Sequence, residues 1–178
     1  MAKDKEYFDK KENTDFIKLT VFNEQVLHLN ELGQTPYLHH TDASGYTKNN
    51  TYINMELKDR EVELIEDNGE YKIQGVSQYG KPYTANTLYI EQHKVCGMLL
   101  DWISLDYVPI YINFLKGGVV VVHKLHKLNK RPFSEAKTIK SRGYNKMEIG
   151  QREGLYLSDA AIYKMDENNQ YQLIKKPE

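Results

Sequence analysis

Residues 52–60, YINMELKDR, place a carboxylate and an amine where the two could do chemistry together. Strand side chains two positions apart share a face, so Glu56 and Lys58 would project together while Leu57 turns into a core. Such a carboxylate can hold Mg²⁺ or Mn²⁺, hard ions that prefer oxygen ligands. A neighbouring lysine can orient a nucleophile or offset charge at phosphorus. The spacing is compatible with metal-assisted phosphodiester hydrolysis, and also with a solvated strand face that carries an ion pair.

One carboxylate rarely fixes a divalent ion, so this chemistry requires a second acid close to Glu56. Asp42, in HHTDASGY, is the best candidate, because a turn could bring its strand beside that of Glu56. The competing interpretation of Asp42 is a turn residue. Asp15 and Glu24 are rivals, and Glu24 lies one step around from the apolar face of a predicted helix. We therefore predict Asp42, Glu56 and Lys58 as catalytic residues, and Asp42, Glu56 and Glu24 as metal ligands.

Hydrophobic periodicity and turn signals predict the elements that position these residues. Helical spacing runs from about Asp15 to Leu32, and Gly33 and Pro36 mark its end. A second helix is predicted over residues 88–105, capped by Asn86 or Thr87. Asp67-Asn68-Gly69 predicts a hairpin turn. The remaining expectations are a short strand entering a Gly- and Asn-rich turn at 37–50, the strand at 52–60, a loop at 77–87, two β-prone runs joined at 116–118, and a short closing helix or strand at 154–165. This order predicts an α/β or α+β core.

Composition restricts the class of protein. The chain has 178 residues, 40% of them hydrophobic, which suits one domain with a real core. A single cysteine, Cys96, excludes an intramolecular disulfide framework and a cysteine-rich zinc site. The charged first residues predict no secretory signal, and no apolar run is long enough to span a bilayer. We expect a soluble cytoplasmic protein with no membrane partner, with a flexible tail at residues 1–14 and one domain over residues 15–178.

Charge is distributed unevenly although the formal net charge is only −1. Between Lys116 and Lys146 lie nine lysines and arginines against one acid, Glu135. Such asymmetry suggests contact with a polyanion, and the alternative is a solvated basic loop. The residues predicted to contact nucleic acid are Lys94, Lys124, Lys127, Lys130, Arg131, Lys140 and Arg142.

At this point the sequence resembles the PD-(D/E)xK nuclease superfamily. The matching residues are Asp42 in HTDASG and Glu56-Leu57-Lys58 in NMELKDR, although threonine, and not proline, precedes the aspartate. LYIEQHKVCGMLLDW followed by VPIYINF is similar to the helix and strand of small phage-type or resolvase-like members. There, Glu91 and Lys94 fall where such helices often carry polar groups. The resemblance covers roughly residues 16–123 and implies a restriction-endonuclease-like central mixed sheet flanked by helices.

The resemblance implies a metal-dependent nuclease that uses Mg²⁺ or Mn²⁺ on DNA, with RNA as an alternative substrate and a homodimer as a compatible assembly. The rival hypothesis is a non-catalytic protein that binds nucleic acid or another partner on a nuclease-like scaffold. A histidine metal site is disfavoured: His39 and His40 are adjacent and no HExxH pattern is present. These two and the pair His123 and His126 are predicted to lie at the surface or to face DNA. Cys96 is predicted to be a small core or boundary residue.

Overall fold

The computed structural model describes residues 13–36, 41–77, 79–129, 133–140 and 147–178. Helix α1 covers residues 13–22 and continues into a π-helical turn, Asn23–Leu27. Helix α2 is Gln92–Leu105. The strands are β1 (Asn30–Gln34), β2 (Ala43–Tyr46), β3 (Tyr52–Asp59), β4 (Glu63–Asp67), β5 (Glu70–Val76), β6 (Pro82–Ala85), β7 (Thr87–Glu91), β8 (Val108–Leu115), β9 (Val119–Lys124), β10 (Phe133–Lys140), β11 (Met147–Tyr156), β12 (Ala160–Met165) and β13 (Tyr171–Lys175).

The main sheet has seven strands in the order β1-β2-β3-β8-β9-β12-β13. Strands β3 and β8 pair in parallel, from Ile53 opposite Val108 to Asp59 opposite Phe114. The other pairings of this sheet among the described strands are antiparallel. Two parallel strands need a crossover connection between them. Here the crossover from β3 to β8 contains helix α2. The described residues therefore form a mixed α/β protein with a large mixed sheet and two helices, as the order of elements predicts at the level of α+β.

The two faces of β3 differ in chemistry because its side chains alternate. Ile53, Met55 and Leu57 point into an apolar core that also contains Leu19 and Phe22 of helix α1. Lys18 of the same helix forms an ion pair with Asp59 at 2.8 Å between Nζ and Oδ2. The opposite face carries Asn54, Glu56 and Lys58, and helix α2 packs on that side. The alternation predicted for residues 52–60 is confirmed, and it puts α1 and the polar side chains on opposite faces of the sheet.

The first helix is shorter than predicted. The helical stretch ends at Leu27, and His28 adopts the left-handed conformation with φ 53°. Asn23 terminates it: its side chain bonds both backbone groups of Leu29, accepting from the N–H at 2.8 Å and donating to the carbonyl at 3.1 Å. Asn30–Gln34 then form β1 and pair with β2. The prediction of helix to Leu32 was wrong because the later apolar residues pack on the same core from a strand.

The second helix also begins later than predicted. Thr87–Glu91 form β7, and the cap position of α2 is Glu91, so neither Asn86 nor Thr87 caps it. Leu88 and Ile90 are buried and alternate with half-buried Tyr89, a strand pattern that the helical interpretation overlooked. This strand pairs with β11, which lies far along the chain. Tertiary pairing therefore overrides the helical spacing at these residues.

The connecting segments contain more strand than the sequence suggested. The hairpin at Asp67-Asn68-Gly69 is confirmed, with φ 54° at Asn68 and 80° at Gly69, as a tight turn requires. The predicted loop at 77–87 contains β6, which pairs with β5. Gly45 lies within β2, and the turn follows it at residues 47–51. The closing segment 154–165 is strand on both sides of a short 3₁₀ turn.

Two three-stranded sheets accompany the main one, in the orders β4-β5-β6 and β10-β11-β7. Strand β10 lies within the basic segment, for which a solvated basic loop was the alternative interpretation, so residues 133–140 are strand and not loop. The predicted N-terminal tail at 1–14 lies outside the described residues except for residues 13 and 14, which are helical. In the described part of the chain, no helix combines the length and apolar character needed to cross a membrane.

Candidate active site

Glu56 is the centre of the polar face and is fully buried, with 0% of its surface exposed. Its Oε1 contacts two ammonium groups, at 3.1 Å from Lys58 Nζ and 2.5 Å from Lys94 Nζ. Its Oε2 is buried and has no hydrogen-bond partner among the described residues. Burial raises the pKa of Glu56 to about 7, and Asp42 adds to the rise while Lys58 and Lys94 oppose it. The Glu56 carboxylate is thus excluded from solvent. Its Oε1 is paired with two lysines, and its Oε2 has no hydrogen-bond partner among the described residues.

Lys58 lies between two carboxylates on this face. Besides Glu56 it contacts Glu91, with 3.7 Å between Nζ and Oε1. Burial opposes the charge of Lys58, but Glu56 and Glu91 outweigh it and raise the pKa of the lysine above its usual range. Lys58 is therefore a fixed cation beside Glu56, as the two-residue spacing on β3 predicts.

Asp42 comes to the same place from the residue just before β2. Its backbone N–H donates to the carbonyl of Met55 at 2.8 Å, and its Oδ2 accepts from the backbone N–H of Leu57 at 2.8 Å. Its Oδ1 lies 3.7 Å from Lys94 Nζ, and its side chain is 32% exposed. One ammonium thus contacts both Asp42 and Glu56, which places the two carboxylates around a common point. Asp42 directly precedes a strand here, whereas the sequence predicts a short strand entering a turn over residues 37–50.

Glu91 and Lys94 bring the start of helix α2 into the site. Glu91 occupies the cap position, and its Oε2 is buried without a hydrogen-bond partner within the described part of the chain. Burial works to raise the pKa of Glu91, but Lys58, the residue's own backbone N–H, Lys94 and Arg152 outweigh it and lower the pKa. Lys94, which is predicted to contact nucleic acid, forms ion pairs with Glu56 and Asp42.

A second polar layer on β8 supports the site and was missed from the sequence. Arg60 donates from Nε to Asn113 Oδ1 at 2.6 Å and from Nη2 to Tyr111 Oη at 2.5 Å, and also to the carbonyl of Tyr89. Tyr111 and Asn113 lie opposite Glu56 and Lys58 in the parallel register. The signal was present: Tyr111 and Asn113 alternate with isoleucine and phenylalanine in VPIYINF, as Glu56 and Lys58 alternate on β3. This layer fixes the polar face between two neighbouring strands.

Glu24 does not join the other predicted ligands. It is exposed on the π-helical turn that follows α1, and α1 packs on the apolar face of β3, with the sheet between it and Glu56. The prediction of Glu24 as a metal ligand is corrected on this geometry. The chain therefore brings together two of the three predicted ligands, Asp42 and Glu56. No group of three or more His, Cys, Asp or Glu arranged to hold a metal ion occurs in the ranges that the structure describes.

The structure describes only part of the predicted set of nucleic-acid contacts. Lys124 and Lys127 are exposed, at the end of β9 and in the turn that follows it. Lys140 lies on β10. Lys130, Arg131 and Arg142 lie outside the described residues, as do His39 and His40. Of the predicted nucleic-acid contacts in this segment, the described part of the chain thus shows two, Lys124 and Lys127, as exposed side chains.

Two other expectations need correction. His123 was predicted at the surface, but it is fully buried, and its Nε2 lies 3.0 Å from the carbonyl of Tyr156. Burial lowers the pKa of His123 to about 4. His126 packs near the ring of Trp102, with 5.4 Å between centroids. Cys96 is exposed on α2 and is not a core residue.

The arrangement can perform a limited set of reactions. Asp42 and Glu56 offer carboxylate oxygens, and Mg²⁺ is commonly bound through one or two carboxylates with water and substrate oxygens completing its shell. The carboxylates of Glu56 and Asp42 fit such an ion, because one ammonium group of the chain already contacts both of them. Lys58 supplies a positive charge at the same place. Comparison with family models, with curated proteins and with solved structures found no match to this chain.

Proposed function

We propose that this protein is a metal-dependent nuclease that hydrolyses phosphodiester bonds, with DNA as its substrate and a restriction-endonuclease-like core. The observation that carries the proposal is the convergence of Asp42 and Lys58 around the buried carboxylate of Glu56. Glu56 supports it most, because a fully buried carboxylate with an unpartnered oxygen is costly unless it serves a ligand. Perturbed ionisable groups of this kind concentrate at functional sites.

The order of elements supports the same proposal. A helix precedes two antiparallel strands, β2 and β3, and a crossover through α2 leads to β8 in parallel with β3. This is the order that the resemblance to PD-(D/E)xK nucleases implies. Glu56 on β3 and Asp42 before β2 are the residues that match the metal-ligand motif of that family in the sequence. The sheet β4-β5-β6 is an addition inserted between β3 and α2.

Each side chain has a definite task under this proposal. Asp42 and Glu56 would hold Mg²⁺ or Mn²⁺. When bound, the ion supplies a polarised phosphate oxygen and a water of lowered pKa. Lys58 offsets negative charge as it builds at the phosphorus centre, and its two carboxylate contacts keep it oriented. Arg60 and Asn113 hold the neighbouring strand positions and so keep Lys58 in place.

Plasmid cleavage with Mg²⁺ or Mn²⁺ tests the proposal. The parent should nick or linearise supercoiled DNA, and Glu56→Gln and Lys58→Met should each lose activity by about 10²-fold or more. Glu63→Gln and Lys81→Met remove the same charges from exposed positions on β4 and just before β6, and serve as matched controls. Equal cleavage by parent, Glu56→Gln and Lys58→Met would refute the proposal, as would absence of cleavage with any divalent ion on both DNA and RNA.

A non-catalytic binding protein is the second candidate, and one observation favours it. Two ammonium groups contact Glu56, so the carboxylate is already balanced by cations that belong to the chain. A binding protein that keeps this scaffold would retain DNA in a mobility-shift assay with EDTA and would show no cleavage with metal. Phosphate contacts through Lys124 and Lys127 would make that affinity fall steeply with salt.

A further inference from the structure

Lys94 lies where a cation between the two predicted metal ligands would lie. Its Nζ is 2.5 Å from Glu56 Oε1 and 3.7 Å from Asp42 Oδ1. We propose that Lys94 is an internal counter-cation that competes with the divalent ion for Asp42 and Glu56 and must withdraw before the ion is held. This inference rests on the proposed function, since the ion in question is the one that the nuclease would use.

Lys94 differs from Lys58 in the carboxylates that it engages. Lys58 is on the same strand as Glu56, and its ion pairs are with Glu56 and Glu91. Lys94 arrives from α2 and pairs with Glu56 and Asp42, the two residues that approach each other from different strands. Neutralising the repulsion between two such carboxylates is also what a bound divalent ion does. The two lysines therefore have separate roles. Lys58 lies beside the predicted position of the ion, whereas the ammonium group of Lys94 occupies that position.

Helix α2 holds the backbone of Lys94 in place while its side chain can leave. Val95 and Met98 are buried against the sheet side of the helix, and Asn54 on β3 donates to Asp101 Oδ2 at 2.9 Å. These contacts anchor the helix over β3. The Lys94 side chain is 18% exposed and ends a flexible four-carbon stem, so it has a path to solvent. Withdrawal then needs a change of side-chain rotamers and no movement of the helix.

The consequence is a metal affinity that is lower than the two carboxylates would give alone. Apparent affinity is reduced by the fraction of molecules in the competent state, which here is the fraction with Lys94 withdrawn. A charge-assisted hydrogen bond of this kind makes that fraction about one tenth or less. Removal of the charge at position 94 should thus strengthen metal binding, whereas a purely structural lysine would weaken it or leave it unchanged on removal.

Isothermal titration of the full chain with Mn²⁺ tests this inference. Lys94→Met should bind Mn²⁺ at least about ten-fold more tightly than the parent. Lys94→Arg keeps the positive charge and should bind as weakly as the parent, and Lys127→Met removes an exposed charge and should also match it. The double variant Lys94→Met with Glu56→Gln should lose the gain. Lys94→Gln keeps a hydrogen-bond donor without charge and serves as the second variant if Lys94→Met does not fold.

The outcomes separate the inference from the proposed function. If Lys94→Met and Lys94→Gln bind Mn²⁺ no more tightly than the parent while Glu56→Gln weakens binding, the competing role of Lys94 is refuted and the metal site stands. If neither the parent nor any variant binds Mn²⁺, the metal-dependent function fails and the inference fails with it. A gain in Lys94→Met that persists in the double variant would place the ion away from Glu56 and would also refute the inference.

Discussion

Lowering the pH from 7.5 to 5 should destabilise this protein through one buried histidine, His123. Burial lowers the pKa of its ring to about 4, against an ordinary value of 6.5. Between pH 6.5 and about pH 4, the ring of His123 therefore binds a proton in the unfolded chain and not in the folded chain. Stability from this group is complete above pH 6.5 and falls as the pH drops toward 4. The loss should be about 2 kcal/mol at pH 5 and about 3 kcal/mol at pH 4.

The environment of the ring explains the direction. His123 Nε2 lies 3.0 Å from the carbonyl oxygen of Tyr156, and this contact favours the charged ring, as Asp159 does. Both therefore work against the effect of burial on the pKa. Lys175 and Arg60 work with it. Desolvation is the largest of these contributions, because a charged imidazole inside an apolar layer loses its water. The neutral ring is therefore the folded form throughout the physiological range.

Urea unfolding at a series of pH values measures the effect, with His123→Gln as the comparison. The difference in unfolding free energy between parent and His123→Gln should change by about 2 kcal/mol between pH 7.5 and pH 5. Taking the difference matters because Glu56 acts in the opposite sense: its raised pKa makes the fold gain stability as pH falls from 7 toward 4.5. His93→Gln, at an exposed position on α2, should leave the profile of the parent unchanged. A parent-minus-variant difference that stays flat from pH 7.5 to 4.5 would refute the reasoning.

Two further predictions concern stability and use urea midpoints at pH 7.5. Gly118→Ala should cost more than Gly117→Ala: both glycines have positive φ, at 68° and 70°, so both lose about 1 kcal/mol to strain. A methyl on Gly118 would in addition lie 2.8 Å from Met165 Cβ, whereas Gly117 has open space. Equal costs would contradict this. Arg60→Met should lose about 2 to 3 kcal/mol, because Asn113 Oδ1 loses a charge-assisted donor in a buried layer; a change below about 0.5 kcal/mol would contradict it.

The part of the site that the sequence predicted is the part governed by local geometry. Strand alternation places Glu56 and Lys58 on one face whatever the surroundings, so YINMELKDR was sufficient for that pair. The hairpin at Asn68-Gly69 and the paired runs around Gly117 were predictable for the same reason, since each depends on a few adjacent residues. The two-residue period of a strand is a short-range property, and the sequence displays it directly.

The parts that were wrong depend on distant partners. Residues 88–91 satisfy helical spacing, yet they pair with β11, about sixty residues later, and Leu88 and Ile90 are buried by that pairing. Asn30–Gln34 became a strand because β2 was available beside it. Glu24 had a suitable charge and a suitable place on a predicted helix, but only the packing of α1 decides which face of the sheet it meets. The sequence carries no local signal for such choices.

The parallel pairing of β3 with β8 has a consequence for how the protein folds. Met55 opposes Ile110 in this pair. The chain must therefore close a loop of about fifty residues, which includes the sheet β4-β5-β6, before the two strands can pair. Long-range parallel contacts of this kind form slowly and late. Asp42 and Glu56 can approach each other in the β2-β3 hairpin alone, but Lys94 and Tyr111 arrive only when the crossover closes. A nascent chain would therefore bring the two carboxylates together with Lys58 beside Glu56, and the completed fold would add Lys94 as the counter-charge that reaches both.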